Sequence, residues 1–399
     1  MLTGNIQCFF EIRIIFQEIF QNSCEYCKVW RRTLQIGKDD IELEVKTEST
    51  TPLLSFAGRV DASEMVQLLQ SVPAWPGFKH RGSQEDFWHW RYDQSQAEKL
   101  ISVIYADGKP ISHAAALPMA ICINGKVLKG VQWSDFCTAP EFRNQGLIEK
   151  AVKNLEEAEI ATGIEVDFAF PSPRGYNIAL NAGLLEIPAK FKQYELIIDP
   201  EDFFGNSKTG KMKKIAYNTS LYLKANDTSR IKGIRLEEVS EFPADIEELT
   251  IDFEKYYDIT LRHSRAYLNH RYLTPEGGEF TVVVAKRNGQ SCGYLVMKCY
   301  TVNDVNYVDI VDLCADAHAV VKMLLNYAED FCQKNESDTL HIWLSSTDWL
   351  SYDVLRYGFK AIKPLAGERI MRFLMRRFDR GPIPENPVCH LVLGDSDWV

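Results

Sequence analysis

The chain has 399 residues, of which 46% are hydrophobic and 25% are charged, and its formal net charge is −10. This length allows two or three domains that each bury a core, and the balance of residue types is that of a soluble globular protein. The acidic balance argues against nucleic-acid binding, which needs clustered Lys and Arg, and no apolar run reaches the ~20 residues of a membrane span.

Residues 1–52 form an N-terminal extension, helix plus strand, to which the sequence assigns no chemistry. An apolar helix is predicted from Ile6 to Phe20, and we expect it to pack on the body of the chain. Cys24 and Cys27 have metal-ligand spacing, but no second pair accompanies them, so no metal is predicted. Ten scattered cysteines without an export signal predict reduced thiols in a cytoplasmic protein.

A regular pattern of elements begins near Leu53. A short strand is followed by a helix around Ala62 to Ser71 and, after an aromatic-rich segment, by two strand hairpins. The hairpins turn at Asp107-Gly108 and at Asn124-Gly125, because these dipeptides favour two-residue hairpin turns. The far strand of the second hairpin is predicted from Val131 to Thr138.

A tight turn and a helix follow that strand in the segment Cys137 to Ile148. Gly146 stands at the mouth of the helix, where a glycine lets the backbone approach a ligand. The first unpaired N–H groups of the helix and the positive end of its dipole then face that ligand. The segment is therefore predicted to hold a phosphate.

The same order of signals recurs later in the chain, which indicates a tandem duplication. Four pairs of segments match at offsets that drift slowly from 180 or 181 to 175 residues: His89–Tyr92 with Asn269–Tyr272, Asp107-Gly108 with Asn288-Gly289, Asp135–Cys137 with Asp312–Cys314, and Ala182–Leu184 with Tyr357–Phe359. Each unit runs strand, helix, antiparallel hairpins, helix, strand, helix, which predicts an α/β fold with a mixed sheet packed by helices.

The second unit lacks the glycine turn, since the shorter segment Ala315 to Lys322 stands in its place without a glycine. One phosphate site, in the first half, is therefore expected. The predicted organisation is an extension at 1–52, a first domain with the site at 53–199, a linker at 200–233, a degenerate second domain at 234–375, and a C-terminal loop and strand at 376–399, with the strand from Val388 to Leu393.

The spacing Arg143-x-x-Gly146, preceded by Thr138-x-Pro140, resembles the acetyl-CoA pyrophosphate loop of the GCN5-related N-acetyltransferase (GNAT) superfamily. That loop reads Gln/Arg-x-x-Gly-x-Gly/Ala, so Ile148 departs from its last position. Phe170–Pro173 resembles the Phe-Pro-Asn-Pro end of a core strand in a bacterial branch of the superfamily. The resemblance covers about residues 85–195 and implies two tandem acyl-CoA N-acyltransferase-like domains, of which the first binds one acetyl-CoA.

The resemblance also implies which residues bind the cosubstrate acetyl-CoA. Six backbone N–H groups would hold its pyrophosphate, those of Arg143, Asn144, Gln145, Gly146, Leu147 and Ile148. The backbone of Phe136, Cys137 and Thr138 would pair with the pantetheine arm. Ser172 falls where the family has Asn, and Ala179 falls where the family has the Tyr that protonates the departing thiolate. Tyr176, one turn earlier, is the candidate for that donor, and packing at the helix start is its alternative.

An attacking ammonium must first lose a proton, so a base is expected near the thioester. Asp135 lies where many relatives carry a Glu, but Asp312 repeats it in the unit without the loop, which favours a structural role for both. Glu85 precedes the hairpins, where this fold usually lines its acceptor pocket. Cys137 suggests a ping-pong nucleophile, yet Cys314 repeats it, and buried packing is the favoured interpretation.

Together these patterns predict an acetyltransferase that moves an acetyl group from acetyl-CoA to an amine of a small molecule or sugar by direct attack. One alternative is an aminoacyl transferase of the peptidoglycan-bridge type, which doubles this fold but lacks the Arg-x-x-Gly loop. The other is a non-catalytic acyl-CoA-binding protein, for which Ile148 and Ala179 argue. The sequence leaves the acceptor and the oligomeric state open.

Overall fold

The computed structural model describes residues 53–56, 60–72, 75, 82–93, 100–198, 212, 233–302, 305–363 and 371–396, and these belong to one unit, Thr51–Val399. The predictions for residues 1–52, including the apolar helix, Cys24 and Cys27, lie outside the described residues. So does the predicted linker at 200–233, apart from Met212 and Gly233.

In the first half of the chain, strands are interspersed with helices. Its elements are β1 Leu53–Phe56, α1 Ala62–Leu69, α2 Gln84–Tyr92, β2 Leu100–Ala106, β3 Lys109–Ile123, β4 Lys126–Thr138, α3 Leu147–Ala161, β5 Val166–Ala169, α4 Pro173–Asn181, β6 Leu185–Glu186 and β7 Phe191–Ile197. The two predicted hairpins are present, and Asp107, Gly108, Asn124 and Gly125 all have positive φ, as two-residue hairpin turns of this kind require.

The second half repeats this order. Its elements are β8 Ile234–Glu238, α5 Ile246–Glu254, β9 Ile259–Leu261, α6 Arg265–Leu273, β10 Thr281–Arg287, β11 Gln290–Val302, β12 Val305–Ala315, α7 His318–Lys334, β13 Thr339–Ser345, α8 Trp349–Tyr357, β14 Lys360–Ile362, β15 Leu374–Arg377 and β16 Cys389–His390. The last strand is shorter than predicted, since only Cys389 and His390 pair with β9. A short turn follows at Leu393–Asp395, where the Asp395 carboxylate accepts the Val392 N–H at 2.9 Å.

The strands form two mixed sheets, which confirms the predicted fold class. The first sheet has the order β1-β2-β3-β4-β5-β15-β6, with β9 on the far part of β3 and β16 on β9. The second has the order β14-β7-β13-β12-β11-β10-β8. In both sheets the central parallel pair, β4 with β5 and β12 with β13, joins a run of antiparallel strands.

Each sheet contains strands from the other half of the chain: β9, β15 and β16 in the first sheet, and β7 in the second. Strand β7 of the first half pairs with β13 and β14 in the second sheet, and β15 lies between β5 and β6 in the first. On β15, Arg376 contacts the buried Asp167 carboxylate of β5 and donates to Glu156 on α3 at 2.9 Å. The predicted domain boundaries follow the sequence repeat. The two sheets do not follow these boundaries, because strands of each half pair in the sheet of the other.

The two halves also meet through matching positions of the repeat. Trp90 on α2 corresponds to His270 on α6, and their rings stack with centroids 5.0 Å apart. The Trp90 indole N–H donates to the hydroxyl of Thr274 at 2.6 Å, and a Cβ added at Gly277 would lie 2.5 Å from the indole ring. The aromatic residues of α2 therefore lie in the core and in the interface between the two halves.

Candidate functional site

Strand β4 carries a β-bulge near its end. His113 of β3 pairs with Cys137, but Ala115 pairs with Ser134, so β4 has one more residue than β3 between these pairs. Asp135 lies in this extra stretch with φ of 55°, a left-handed conformation that non-glycine residues seldom adopt. A bulge of this kind bends the strand and increases its twist.

Beyond the bulge, the described part of the chain leaves one side of β4 available to an extended ligand. The pairing between β4 and β5 ends at Gln132 with Phe168, whereas β4 itself runs on to Thr138. The backbone groups of residues 136–138 on the β5 side therefore form an edge to which an extended chain could add as a strand. The three predicted pantetheine-binding residues, Phe136 to Thr138, are the residues of this edge.

The loop after β4 brings an anion-binding helix start next to that edge. Gly146 caps α3 with φ of 69°, and among the described residues no side chain accepts the first N–H groups of this helix. A Cβ added at Gly146 meets no described atom within 4 Å, and residues 143–146 are exposed. The Arg143 Nε–H donates to the Thr138 carbonyl at 3.0 Å, which ties the loop to the end of β4. This arrangement can bind a phosphate.

The packing of α3 fixes the direction in which its N-terminus points. Its buried apolar residues share one face of the helix and pack on the first sheet: Leu147, Ala151, Val152 and Leu155. Phe136, Ile148 and Tyr176 are half-buried around the same cluster. The fold thus brings the strand edge, the loop and Tyr176 of α4 to one region of the first half.

The second half has no comparable loop between its fully described β12 and α7. Only Asp316 and Ala317 separate the two elements, and Ala317 is the residue that caps the helix. Asp316 forms an ion pair with Arg287 at 2.7 Å, so a carboxylate lies next to this helix start. The difference between the halves that the sequence predicted is therefore present in the structure.

The Asp135 carboxylate is held by buried neighbours. It accepts the Tyr92 hydroxyl and lies 3.0 Å from the Arg91 Nε, and both members of this ion pair are less than 10% exposed. In the second half, the Tyr272 hydroxyl donates to Asp312 at 2.9 Å in the same way. The repeated contact favours the structural role for Asp135, and its role as a base stays a prediction.

Cys137 has the properties of a packing residue. Its side chain is buried in a cluster with residues of α1 and α2. Burial, followed by the nearby negative charge of Asp135, raises the pKa of its thiol to about 12. Because the thiolate is the nucleophilic form, this thiol is poorly suited to attack a thioester at neutral pH.

Tyr176 is bonded to residues beside α4 rather than free. Its hydroxyl donates to Glu186 at 2.6 Å, and this hydrogen bond raises the pKa of the phenol. The Arg372 guanidinium lies 4.4 Å from the centre of the ring and 3.2 Å from Glu186. Ser172, a predicted cofactor-binding residue, caps α4. Its hydroxyl oxygen accepts the Gly175 N–H at 3.2 Å, which stabilises the start of that helix.

Glu85 is separate from this region along α2. It is exposed in the first turn of the helix, whereas Arg91 and Tyr92, which hold Asp135, lie in the last turn. Seven residues of helix place the two ends about 10 Å apart. The structure therefore does not bring Glu85 to the β4 bulge.

Sequence reasoning missed His113. It lies on β3 opposite Cys137, its side chain is completely buried, and its Nδ1 is 2.9 Å from the Asp135 carbonyl oxygen. Only the repeat could have pointed to this position, because Tyr294 of the second half pairs with Cys314 as His113 pairs with Cys137.

Comparison with known proteins agrees with this geometry. Residues 60–179, which include the bulge, the loop and α3, match the sequence profile of the acetyltransferase (GNAT) domain. This segment of the chain is similar to the GNAT domain family. Within the matched range lie all the predicted cofactor-binding residues and Tyr176, and the match supports acyl transfer from an acyl-CoA donor. No curated protein sequence matches this chain.

Solved structures share the fold at low identity. A GCN5-related N-acetyltransferase from Kribbella flavida is 14% identical with a TM-score of 0.58, over 82% of this chain and 72% of its own. One from Anabaena variabilis is 14% identical with a TM-score of 0.56, over 79% and 70%. The Saccharomyces cerevisiae N-myristoyltransferase with bound myristoyl-CoA is 12% identical with a TM-score of 0.54, over 82% and 81%. No helix in the described part of the chain has the length and apolar character needed to cross a membrane.

Proposed function

We propose that this protein is an N-acetyltransferase that moves the acetyl group of acetyl-CoA to an amine of a small molecule or sugar. The observation that carries the proposal is that two features lie side by side within the described residues: the start of α3 at Gly146, which has no side-chain cap, and the open edge of β4. The Arg143–Thr138 hydrogen bond joins them. A phosphate at the first and an extended arm along the second match the two ends of an acyl-CoA.

In this proposal, backbone groups bind the cosubstrate. The N–H groups of residues 143–148 hold the pyrophosphate, and residues 136–138 pair with the pantetheine arm. The positive end of the α3 dipole adds to the attraction for phosphate charge. The thioester then lies near the β4 bulge, where backbone N–H groups can stabilise the negative charge that develops on the carbonyl oxygen.

The proposed reaction is direct attack of the amine on the thioester carbon. The nitrogen forms a bond to that carbon, the C–S bond breaks, and the thiolate leaves with the electron pair. Tyr176 is the candidate that returns a proton to the thiolate, with Glu186 orienting its hydroxyl. Asp135, which lies in the bulge, is the candidate for the base that takes a proton from the attacking ammonium, and Glu85, at the other end of α2, is tested beside it as the more distant candidate.

Three substitutions test these roles once an acceptor is found. Tyr176→Phe and Glu85→Gln should each lower kcat by about 10²-fold if the residue transfers a proton, with KM for acetyl-CoA little changed. Asp135→Asn should instead lower stability, because it weakens the buried contact with Arg91. A kcat that is unaffected by a substitution removes that residue from the mechanism.

Calorimetry with acetyl-CoA on the full chain tests the proposal itself. We expect binding with a Kd well below the millimolar range, and no binding up to millimolar acetyl-CoA would overturn the proposal. Release of free thiol across a panel of amino sugars, amino acids and polyamines then tests for transfer and identifies the acceptor. Myristoyl-CoA should be measured beside acetyl-CoA, because a long-chain acyltransferase would favour it.

A second candidate is a non-catalytic acyl-CoA-binding protein. The observation that favours it is Ala179, which is 2% exposed in the core cluster around α3 and has no hydroxyl to protonate a thiolate. The two candidates differ in a single result. A protein that binds acetyl-CoA but releases no thiol with any acceptor of the panel is the binding protein.

A further inference from the structure

The bulge of β4 holds a strained residue that its surroundings must keep in place. Asp135 has φ of 55°, and a non-glycine residue in this conformation persists only when neighbouring contacts stabilise it. Arg91 and Tyr92 hold the side chain of Asp135. These contacts fix the carboxylate but leave the orientation of the peptide group after Asp135 to another partner.

His113 is the partner of that peptide group. Its Nδ1 lies 2.9 Å from the Asp135 carbonyl oxygen, which can only accept, so Nδ1 carries the proton and donates it. Burial lowers the pKa of this imidazole, which is therefore neutral with Nε2 unprotonated. Within the described part of the chain, Nε2 is buried and has no hydrogen-bond partner. The imidazole thus makes one hydrogen bond among the described residues, from Nδ1 to the backbone carbonyl of Asp135.

The second half provides an internal comparison. Tyr294 occupies the position of His113, since it pairs with Cys314 as His113 pairs with Cys137. The Tyr294 hydroxyl donates to the side-chain carboxylate of Asp312 at 3.2 Å, whereas His113 contacts the backbone carbonyl of Asp135. Asp312 is not among the described residues with positive φ. The imidazole–carbonyl bond and the left-handed aspartate therefore occur together in the half that carries the phosphate loop.

We propose that His113 is a positioning residue, whose Nδ1–H holds the Asp135 carbonyl and thereby keeps the β4 bulge turned toward the thioester of a bound acyl-CoA. The inference rests on the proposed function, because it assigns the bulge to the acyl end of that ligand. The loop at Gly146 binds the other end, so His113 should affect the thioester and not the phosphates.

Substitutions of His113 distinguish the role of Nδ1 from that of Nε2. In His113→Asn the amide nitrogen can take the place of Nδ1, in His113→Gln it lies nearer the place of Nε2, and His113→Leu supplies no donor. The probes are acetyl-CoA and CoA, measured by calorimetry on the full chain, and the readout is the ratio of the two Kd values. Circular dichroism and thermal melting show whether each variant is folded.

We expect His113→Asn to keep the preference for acetyl-CoA over CoA within about threefold of the unsubstituted protein. His113→Gln and His113→Leu should lose about tenfold of that preference, with CoA binding changed less than about twofold. Equal ratios in all three variants would overturn the inference. A folded His113→Asn that loses as much as His113→Leu would also overturn it, because the imidazole itself would then be required.

Nitrogen-15 NMR of the histidine side chains tests the contact without any ligand. We expect the His113 signal of a neutral ring protonated at Nδ1 between about pH 6 and 8. A ring protonated at Nε2 would contradict the proposal. If the unsubstituted protein binds neither probe, the proposed function fails together with this role, whereas binding with unchanged variants removes only the role of His113.

Discussion

Replacement of Gly146 by Ala, with Gly163→Ala as its control, tests the phosphate loop most directly. Both glycines have positive φ, 69° and 72°, and a Cβ at either would meet no described atom within 4 Å. They lie at opposite ends of α3, since Gly146 caps its start and Gly163 follows its end. The two substitutions therefore impose similar backbone strain, but only one of them lies at the proposed site.

The expected magnitudes follow from this geometry. An alanine in the left-handed region costs roughly 1 kcal/mol, so each variant should lose about that much stability and melt roughly 2 °C lower. At Gly146 the added methyl group also enters the open space in front of the helix start. Loss of one hydrogen bond to a charged phosphate costs about 1.5–3 kcal/mol, which corresponds to roughly 10- to 100-fold weaker binding of acetyl-CoA.

Calorimetry with acetyl-CoA and thermal melting on both variants form the assay. We expect similar melting temperatures for the two proteins and weaker binding only for Gly146→Ala. Unchanged affinity in Gly146→Ala would refute the assignment of phosphate to this loop. Equal loss of affinity in both variants would mean that the effect comes from strain in α3 and not from the site.

Three further predictions concern buried charges and thiols. Arg376→Met should destabilise the fold by about 3–5 kcal/mol in urea unfolding, because it leaves the buried Asp167 carboxylate without its partner, whereas Arg372→Met, which removes an exposed pair, should cost about 1 kcal/mol or less. Burial raises the pKa of Glu159 from 4.5 to about 9, so the folded state keeps a proton that the unfolded chain releases, and stability should fall as pH rises between these values. The free energy of unfolding of Glu159→Gln should rise relative to that of the unsubstituted protein by up to about 1.4 kcal/mol for each pH unit between about pH 6 and 8. Free energies of unfolding that change in parallel with pH in the two proteins would contradict this. Cys137 should resist alkylation by iodoacetamide at about pH 8 in the folded protein, because burial raises the pKa of its thiol to about 12, and rapid mass-detected labelling would disprove its packing role.

The hairpins and the phosphate loop could be predicted because their signals are local. Asn124-Gly125 specifies a turn through the conformations that these two residues adopt, whatever lies around them. Gly146 likewise marks a helix start at which the capping residue itself has no side chain. The repeat added a comparison within the chain, and it identified Asp135 and Cys137 as positions shared with a half that lacks the loop.

His113 could not be predicted in this way. A single histidine in an apolar strand shows nothing about which carbonyl it faces, and its hydrogen bond depends on the bulge in the neighbouring strand. The interaction of Arg376 with Asp167 could not be predicted either, because the two residues are 209 positions apart in the chain. Side-chain partners at such separations follow from the fold and leave no local pattern.

The sequence by itself determined the two hairpin turns and the glycine loop, since each depends on the conformations open to a few adjacent residues, and it also indicated the repeat. Only the tertiary structure decided that β7 completes the second sheet and β15 the first. The physical reason is that strands pair through backbone N–H and C=O groups that are alike in every residue. Which edge a strand joins is therefore set by the packing of distant side chains, and the same packing places His113 against the strained carbonyl of Asp135.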